Sequence, residues 1–169
     1  MSRPPAIRRA VPADVEAVTA LLRELGYPVE APGVEPTLRA LVDDPRAFVL
    51  VAVDDALGVV GLVSLSARPV LRLGGAVGTI EELVVRRGAR GRGVGTQLLQ
   101  YAKGLAAERG WVRLEVSVTR LREVNRGEFF AGRGLSPVDS VTYRWGRLEG
   151  RHPLLPAIGG LPRRHELLV

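Results

Sequence analysis

The feature that most constrains this chain is the stretch Glu81–Leu99, Glu-Glu-Leu-Val-Val-Arg-Arg-Gly-Ala-Arg-Gly-Arg-Gly-Val-Gly-Thr-Gln-Leu-Leu. It reads as a strand, a glycine- and arginine-rich turn, and a helix. Leu83, Val84 and Val85 form a short apolar run, as in a strand covered on both faces. From Val94 onward, Val94, Leu98, Leu99, Ala102, Leu105 and Ala106 recur at helical spacing. Gly91, Gly93 and Gly95 alternate between the two elements. Glycine admits positive φ and lets a ligand approach with no Cβ in the way. A helix that starts in such a loop points unpaired N–H groups and the positive end of its dipole outward, which favours an anion, most simply phosphate.

The spacing narrows the phosphate ligand. A dinucleotide fingerprint needs G-x-G-x-x-G, and Gly91-x-Gly93-x-Gly95 does not supply it. The Gly-Lys-Ser/Thr of a nucleoside-triphosphate loop is absent. What remains, Arg90-Gly91-Arg92-Gly93-Val94-Gly95 after a strand with two carboxylates, resembles the R/Q-x-x-G-x-G/A signature of the GNAT superfamily of N-acetyltransferases. The resemblance implies an acetyl-CoA site. Arg90, Gly91, Arg92, Gly93, Val94, Gly95 and Thr96 would hold the pyrophosphate, and the backbone of Leu83, Val84 and Val85 the pantetheine arm.

The chain has 169 residues, enough for one domain with a proper core. No apolar run reaches the roughly 18 residues of a membrane span, so a membrane role is not expected. Met1–Pro5 lacks a signal-peptide core, and there are no cysteines; the expected setting is cytoplasmic. Net charge is +6, and Lys103 is the one lysine among 24 basic residues. Such a surface suits nucleic acid or a polyanionic cofactor. No basic helix with interleaved aromatics appears, which favours the cofactor.

In chain order, Ala6–Ala10 reads as a strand and Val15–Leu25 as an amphipathic helix, with Asp14 at its start and Gly26 at its end. Tyr27–Gly33 reads as a loop, and Glu35–Asp43 as a short helix that shapes the acceptor pocket in the family. Phe48–Val53 and Val59–Leu65 form a hairpin across Asp54–Gly58. Arg68–Gly75 reads as a loop, and Ala76–Val85, Val112–Val118 and Val141–Trp145 as strands. A further helix is expected at Leu121–Ala131. The order β-α-α-β-β-β-α-β-α-β is an α/β fold, a mixed central sheet with helices on both faces. It coincides with the GNAT topology. The reading places a transferase domain at residues 1–146 and a Pro- and Arg-containing tail at 147–169. The tail is expected to be extended, mobile or packed across the domain or a partner, a homodimer being one assembly it would serve.

Acetyl transfer to an amine needs a group to take the amine proton, and a carboxylate can do so directly or through water. Glu81 and Glu82 are adjacent on a strand, so regular alternation points them to opposite faces. In polyamine and aminoglycoside acetyltransferases a proposed base sits at the position matching Glu81. Glu81 is therefore the expected base and Glu82 the second candidate; the alternative is that both are strand-end carboxylates paired with nearby arginines. Asn125 is a candidate cofactor contact. Two residues depart from the family pattern. Arg87 stands where proline is usual. Phe130, in the pair Phe129-Phe130, stands where a tyrosine often protonates the thiolate in the family; water, Tyr143 or Tyr101 would then serve, or this branch needs no acid. His152 and His165 lie away from any motif.

The leading function is acetyl-CoA-dependent N-acetylation of a primary amine on an unidentified small molecule or protein. The others are a coenzyme-binding module without catalysis and an arginine-rich nucleic-acid-binding protein.

Overall fold

The computed structural model describes residues 3–118 and 127–140. Two compact units divide the chain, Met1–Val118 and Thr119–Val169. The first contains β1 (Ala6–Arg9), α1 (Val15–Leu25), α2 (Ala31–Asp43), β2 (Ala47–Asp54), β3 (Gly58–Val70), β4 (Gly75–Val85), α3 (Val94–Glu108) and β5 (Arg113–Val116). In the second, residues 127–131 are helical. Asn125, Tyr143, the expected last strand and the tail with His152 and His165 lie outside the described residues.

The strands form one mixed sheet in the order β1-β2-β3-β4-β5. The first four are antiparallel neighbours, and β5 runs parallel to β4. A parallel pair needs a long crossover, which α3 provides. The α/β class with a mixed sheet is as the sequence indicated.

Val18, Leu21 and Leu25 of α1 and Leu38 of α2 pack with Val49, Val51, Leu62 and Val84 on one face of the sheet. On the other face lies α3, whose Val94, Leu98, Leu99, Ala102 and Ala106 are buried. Gly61 of β3 permits that approach: a Cβ there would lie 2.9 Å from Leu98 Cδ1 and 3.1 Å from Val94 Cγ1.

Several boundaries differ from expectation. The second helix starts at Ala31, inside the expected loop. Pro32 sits in its first turn, where the missing N–H has no helical partner to lose. Pro36 lies inside the helix, where proline usually breaks one. The expected loop Arg68–Gly75 is instead the end of β3, a 3-10 turn at Leu71–Leu73 and the start of β4. Asp14 occupies the N-cap of α1 but makes no side-chain cap. Its buried carboxylate turns to Arg8, with contacts of 2.7 and 2.8 Å, and accepts the Val11 N–H at 2.9 Å.

Candidate active site

The pairing of strand β4 changes along its length. β5 pairs with it only from Val77 to Ile80. From Glu81 to Val85, β3 flanks one edge, and no described strand flanks the other. A free strand edge presents backbone N–H and C=O groups at alternate residues, ready for an extended amide-bearing ligand. Leu83, Val84 and Val85, expected to hold the pantetheine arm, lie on this stretch.

At the start of that stretch the strand bulges. Ser64 pairs with Glu82 and Leu65 with Ile80, so Glu81 is an extra residue with no partner. A bulge interrupts side-chain alternation, and here it overturns the expectation that the two carboxylates face opposite sides. Glu81 accepts a hydrogen bond from Ser66 Oγ at 2.6 Å, and Glu82 accepts one from Ser64 Oγ. Ser64 and Ser66 are two apart on β3 and share a face. Both carboxylates therefore sit on the face that carries α1 and α2. Neither is paired with an arginine among the described residues.

The two differ in environment. Glu81 is exposed, whereas Glu82 is half-buried. Burial pushes the Glu82 carboxyl above the usual carboxylate range; the Ser64 hydrogen bond pulls it back, and the negative Glu81 beside it pushes it further up. On the same face, a cavity of about 110 Å³ is lined by Leu41 and Val42 of α2 and by Ala47 and Val49 of β2, the cross-strand neighbours of Ser66 and Ser64.

Beyond Val85 the chain makes a 3-10 turn at Arg87–Ala89 and enters α3 through Gly93. Gly91 and Gly93 have φ of +75° and +79°, the left-handed region that favours glycine. A Cβ on either would meet nothing within 4 Å, so the loop is open on its outer side. The helical ladder begins with the Gln97 N–H bonding Gly93 O at 3.0 Å. The N–H groups of Val94 and Gly95 thus precede the ladder, at the positive end of a 15-residue helix. An open glycine cradle with donor N–H groups and a positive dipole end fits a pyrophosphate.

The arginines of the loop divide by role. Arg90 Nε donates to Val85 O at 2.9 Å, and its guanidinium lies 3.7 Å from Glu24 of α1. The same Glu24 accepts the Arg87 N–H at 2.8 Å. Arg90 thus holds the loop against the strand and α1. Arg92 is exposed. Glu24, Ser64 and Ser66 were not singled out from the sequence. The alternation Ser64-x-Ser66 opposite two carboxylates was the signal for the serines; Glu24 gave none, lying 63 positions from its partner.

In the second unit, Phe130 is buried and Phe129 half-buried. Their rings meet edge to face at 5.2 Å, with the Arg133 guanidinium 4.0 Å from the Phe129 centroid. Tyr101, on α3, is exposed.

Residues 15–127 match the model of the acetyltransferase (GNAT) family. The chain belongs to that family. A streptothricin acetyltransferase from Streptomyces lavendulae is 37% identical over 115 residues, 66% of this chain. The chain spans about half of that curated relative's length (56%). Among solved structures, a transcriptional regulator from Bacillus halodurans superposes with a TM-score of 0.72 at 23% identity, covering 83% of this chain and 99% of that one. An aminoglycoside antibiotic 6'-N-acetyltransferase from Acinetobacter baumannii superposes with a TM-score of 0.71 at 17% identity, covering 85% and 98%. At these identities the superpositions speak for the fold. No helix among the described residues is long and apolar enough to cross a membrane.

Proposed function

We propose that this GNAT protein is an acetyl-CoA-dependent N-acetyltransferase that acts on a primary amine. The observation that carries the reading is one continuous strand. β4 presents a carboxylate pair at its bulge, then a backbone edge that no described strand flanks, then an open glycine loop at a helix N-terminus.

Gly91, Gly93, Val94 and Gly95 would hold the pyrophosphate through backbone N–H groups, with Thr96 in the same first turn. Arg92 adds positive charge. The edge of Leu83–Val85 would hold the pantetheine arm. Acetyl-CoA supplies an electrophilic thioester carbonyl and a thiolate leaving group. The protein must take a proton from the attacking amine as the C–N bond forms and the C–S bond breaks. Glu82 is our choice of base over Glu81. Burial raises its proton affinity toward that of a base working near neutrality, and Ser64 holds it in place. Exposed Glu81 would attract the cationic amine. Thiolate leaves readily near neutral pH, so water suffices to protonate it.

The likeness to a streptothricin acetyltransferase supports a small amine-bearing acceptor and makes streptothricin the first to test. Saturating acetyl-CoA should stabilise the native state by about 2.7 kcal/mol at a hundredfold excess over its dissociation constant. Gly95→Asp tests the site with less backbone strain than a change at Gly93, since Gly95 has no positive φ. It places a carboxylate at the pyrophosphate and should remove most of that stabilisation. An unchanged shift would overturn the site. Stabilisation without thiol release across an amine panel would favour a binding module instead.

A further inference from the structure

The donor loop is held at its entry and left open at its tip. At the entry, the Arg86 N–H bonds Val60 O of β3 at 2.9 Å, and Arg90 Nε bonds Val85 O at 2.9 Å. Ala89, inside the 3-10 turn Arg87–Ala89, is buried. At the tip, a Cβ on Gly88, Gly91 or Gly93 would meet nothing within 4 Å, so no packing fixes those residues from outside. The turn therefore sets where the N–H donors of the cradle stand.

One tie of that turn comes from another element. Glu24 of α1 accepts the N–H of Arg87, the first residue of the turn, at 2.8 Å. The turn's own hydrogen bonds begin later, from the Ala89 N–H to Arg86 O at 2.9 Å. Arg86, at the N-cap, supplies no side-chain cap. Glu24 is thus an N-cap provided from 63 positions away. Its own helix gives no reason for it. In the last turn of α1 a carboxylate meets the negative end of the helix dipole. The Arg90 guanidinium is the lesser attraction: it is exposed and 3.7 Å away, and an ion pair of that kind contributes little. Proline favours the first position of such a turn, because it brings a fixed φ and no N–H to satisfy. With Arg87 there, the entry keeps an N–H, and Glu24 takes it up.

We propose that Glu24 is a positioning residue for the coenzyme, acting through the Arg87 N–H to fix the turn that carries the pyrophosphate cradle. This assignment rests on the reading of the cradle as the acetyl-CoA site.

The test is calorimetric titration of the full chain with acetyl-CoA, at a temperature where every variant is folded. A loss of overall stability alone then leaves the measured affinity unmoved. Glu24→Ala should bind several-fold more weakly. Glu24→Gln, whose amide oxygen still accepts the Arg87 N–H, should bind within about twofold of the parent. Arg87→Pro removes the N–H itself. Arg86 has ψ of 135°, inside the range of a residue before proline, and the φ of a 3-10 turn suits the ring. Arg87→Pro should bind close to the parent, and Glu24→Ala added to it should weaken binding much less than it does in the parent. Parent affinity in Glu24→Ala, a Glu24→Gln as weak as Glu24→Ala, or an undiminished loss on the Arg87→Pro background would overturn the proposal while the coenzyme reading stands. No binding of acetyl-CoA by the parent would overturn both.

Discussion

The packing that aims the helix N-terminus at the loop can be tested by one substitution made at two glycines. Gly61→Ala adds a methyl group 2.9 Å from Leu98 Cδ1, 3.1 Å from Val94 Cγ1 and 3.4 Å from Ala52 Cβ. Leu98 and Ala52 are wholly buried and Val94 nearly so, so none of these groups can swing into solvent. Overpacking of this kind costs about 1–3 kcal/mol. Replacing a strand glycine returns roughly 0.5–1 kcal/mol of backbone entropy, leaving a net loss centred near about 1 kcal/mol. In a chain of 169 residues that lowers the melting temperature by about 4 °C. Gly104→Ala is the mirror case. Gly104 is exposed inside α3, and a Cβ there meets nothing within 4 Å. It should gain about 0.5–1 kcal/mol and some 2 °C. Urea denaturation of both variants and the parent gives the two free energies directly. Gly61→Ala should also weaken acetyl-CoA binding, because Val94 is the first residue of the donor turn. A neutral or stabilising Gly61→Ala would refute the close approach of α3 to β3.

Asp14 is held below its usual range chiefly by the Arg8 hydrogen bonds. Its stability contribution is therefore complete above the unfolded-state pKa and is lost as pH falls through the folded one. Asp14→Asn should cost about 1–3 kcal/mol at neutral pH and flatten the acid side of a stability–pH curve; an unflattened curve counts against the pair. Glu82 has the opposite sign: its raised carboxyl stabilises less as pH rises from the unfolded pKa through the folded one. Glu82→Gln should leave the fold more stable than the parent at neutral pH, with the difference vanishing in acid; a less stable variant would contradict the burial of that charge. Glu24→Ala removes the acceptor of the Arg87 N–H, and titration with acetyl-CoA should show affinity several-fold weaker at unchanged helix content. Phe130→Tyr buries a hydroxyl and should lower stability by about 1–3 kcal/mol in a thermal melt.

The architecture was legible because its signals are periodic. The helix from Val94 and the hairpin around Asp54–Gly58 follow from spacing and turn chemistry, and the glycine loop from its alternating glycines. The start of α2 was not, because two prolines and a glycine outweigh helical spacing in any local reading. The carboxylate geometry was not either. A bulge leaves no periodic trace: Glu81 and Glu82 look like any adjacent strand pair until β3 shows which residue it skips. Pairing across 63 positions, as between Glu24 and Arg87, is set by the tertiary fold alone. A Cβ on Gly78 would lie 2.1 Å from Trp111 Cε3, so that glycine too has its reason on another element.

The central claim is best tested by the pH dependence of acetyl-CoA-dependent thiol release, with streptothricin as acceptor, in the parent and in Glu82→Gln. The account predicts turnover that climbs through a titration above the ordinary carboxylate range in the parent. In Glu82→Gln that limb should be lost and turnover should fall by about 10²–10⁴, with stabilisation by acetyl-CoA retained. Full turnover with the same pH profile in Glu82→Gln would contradict it.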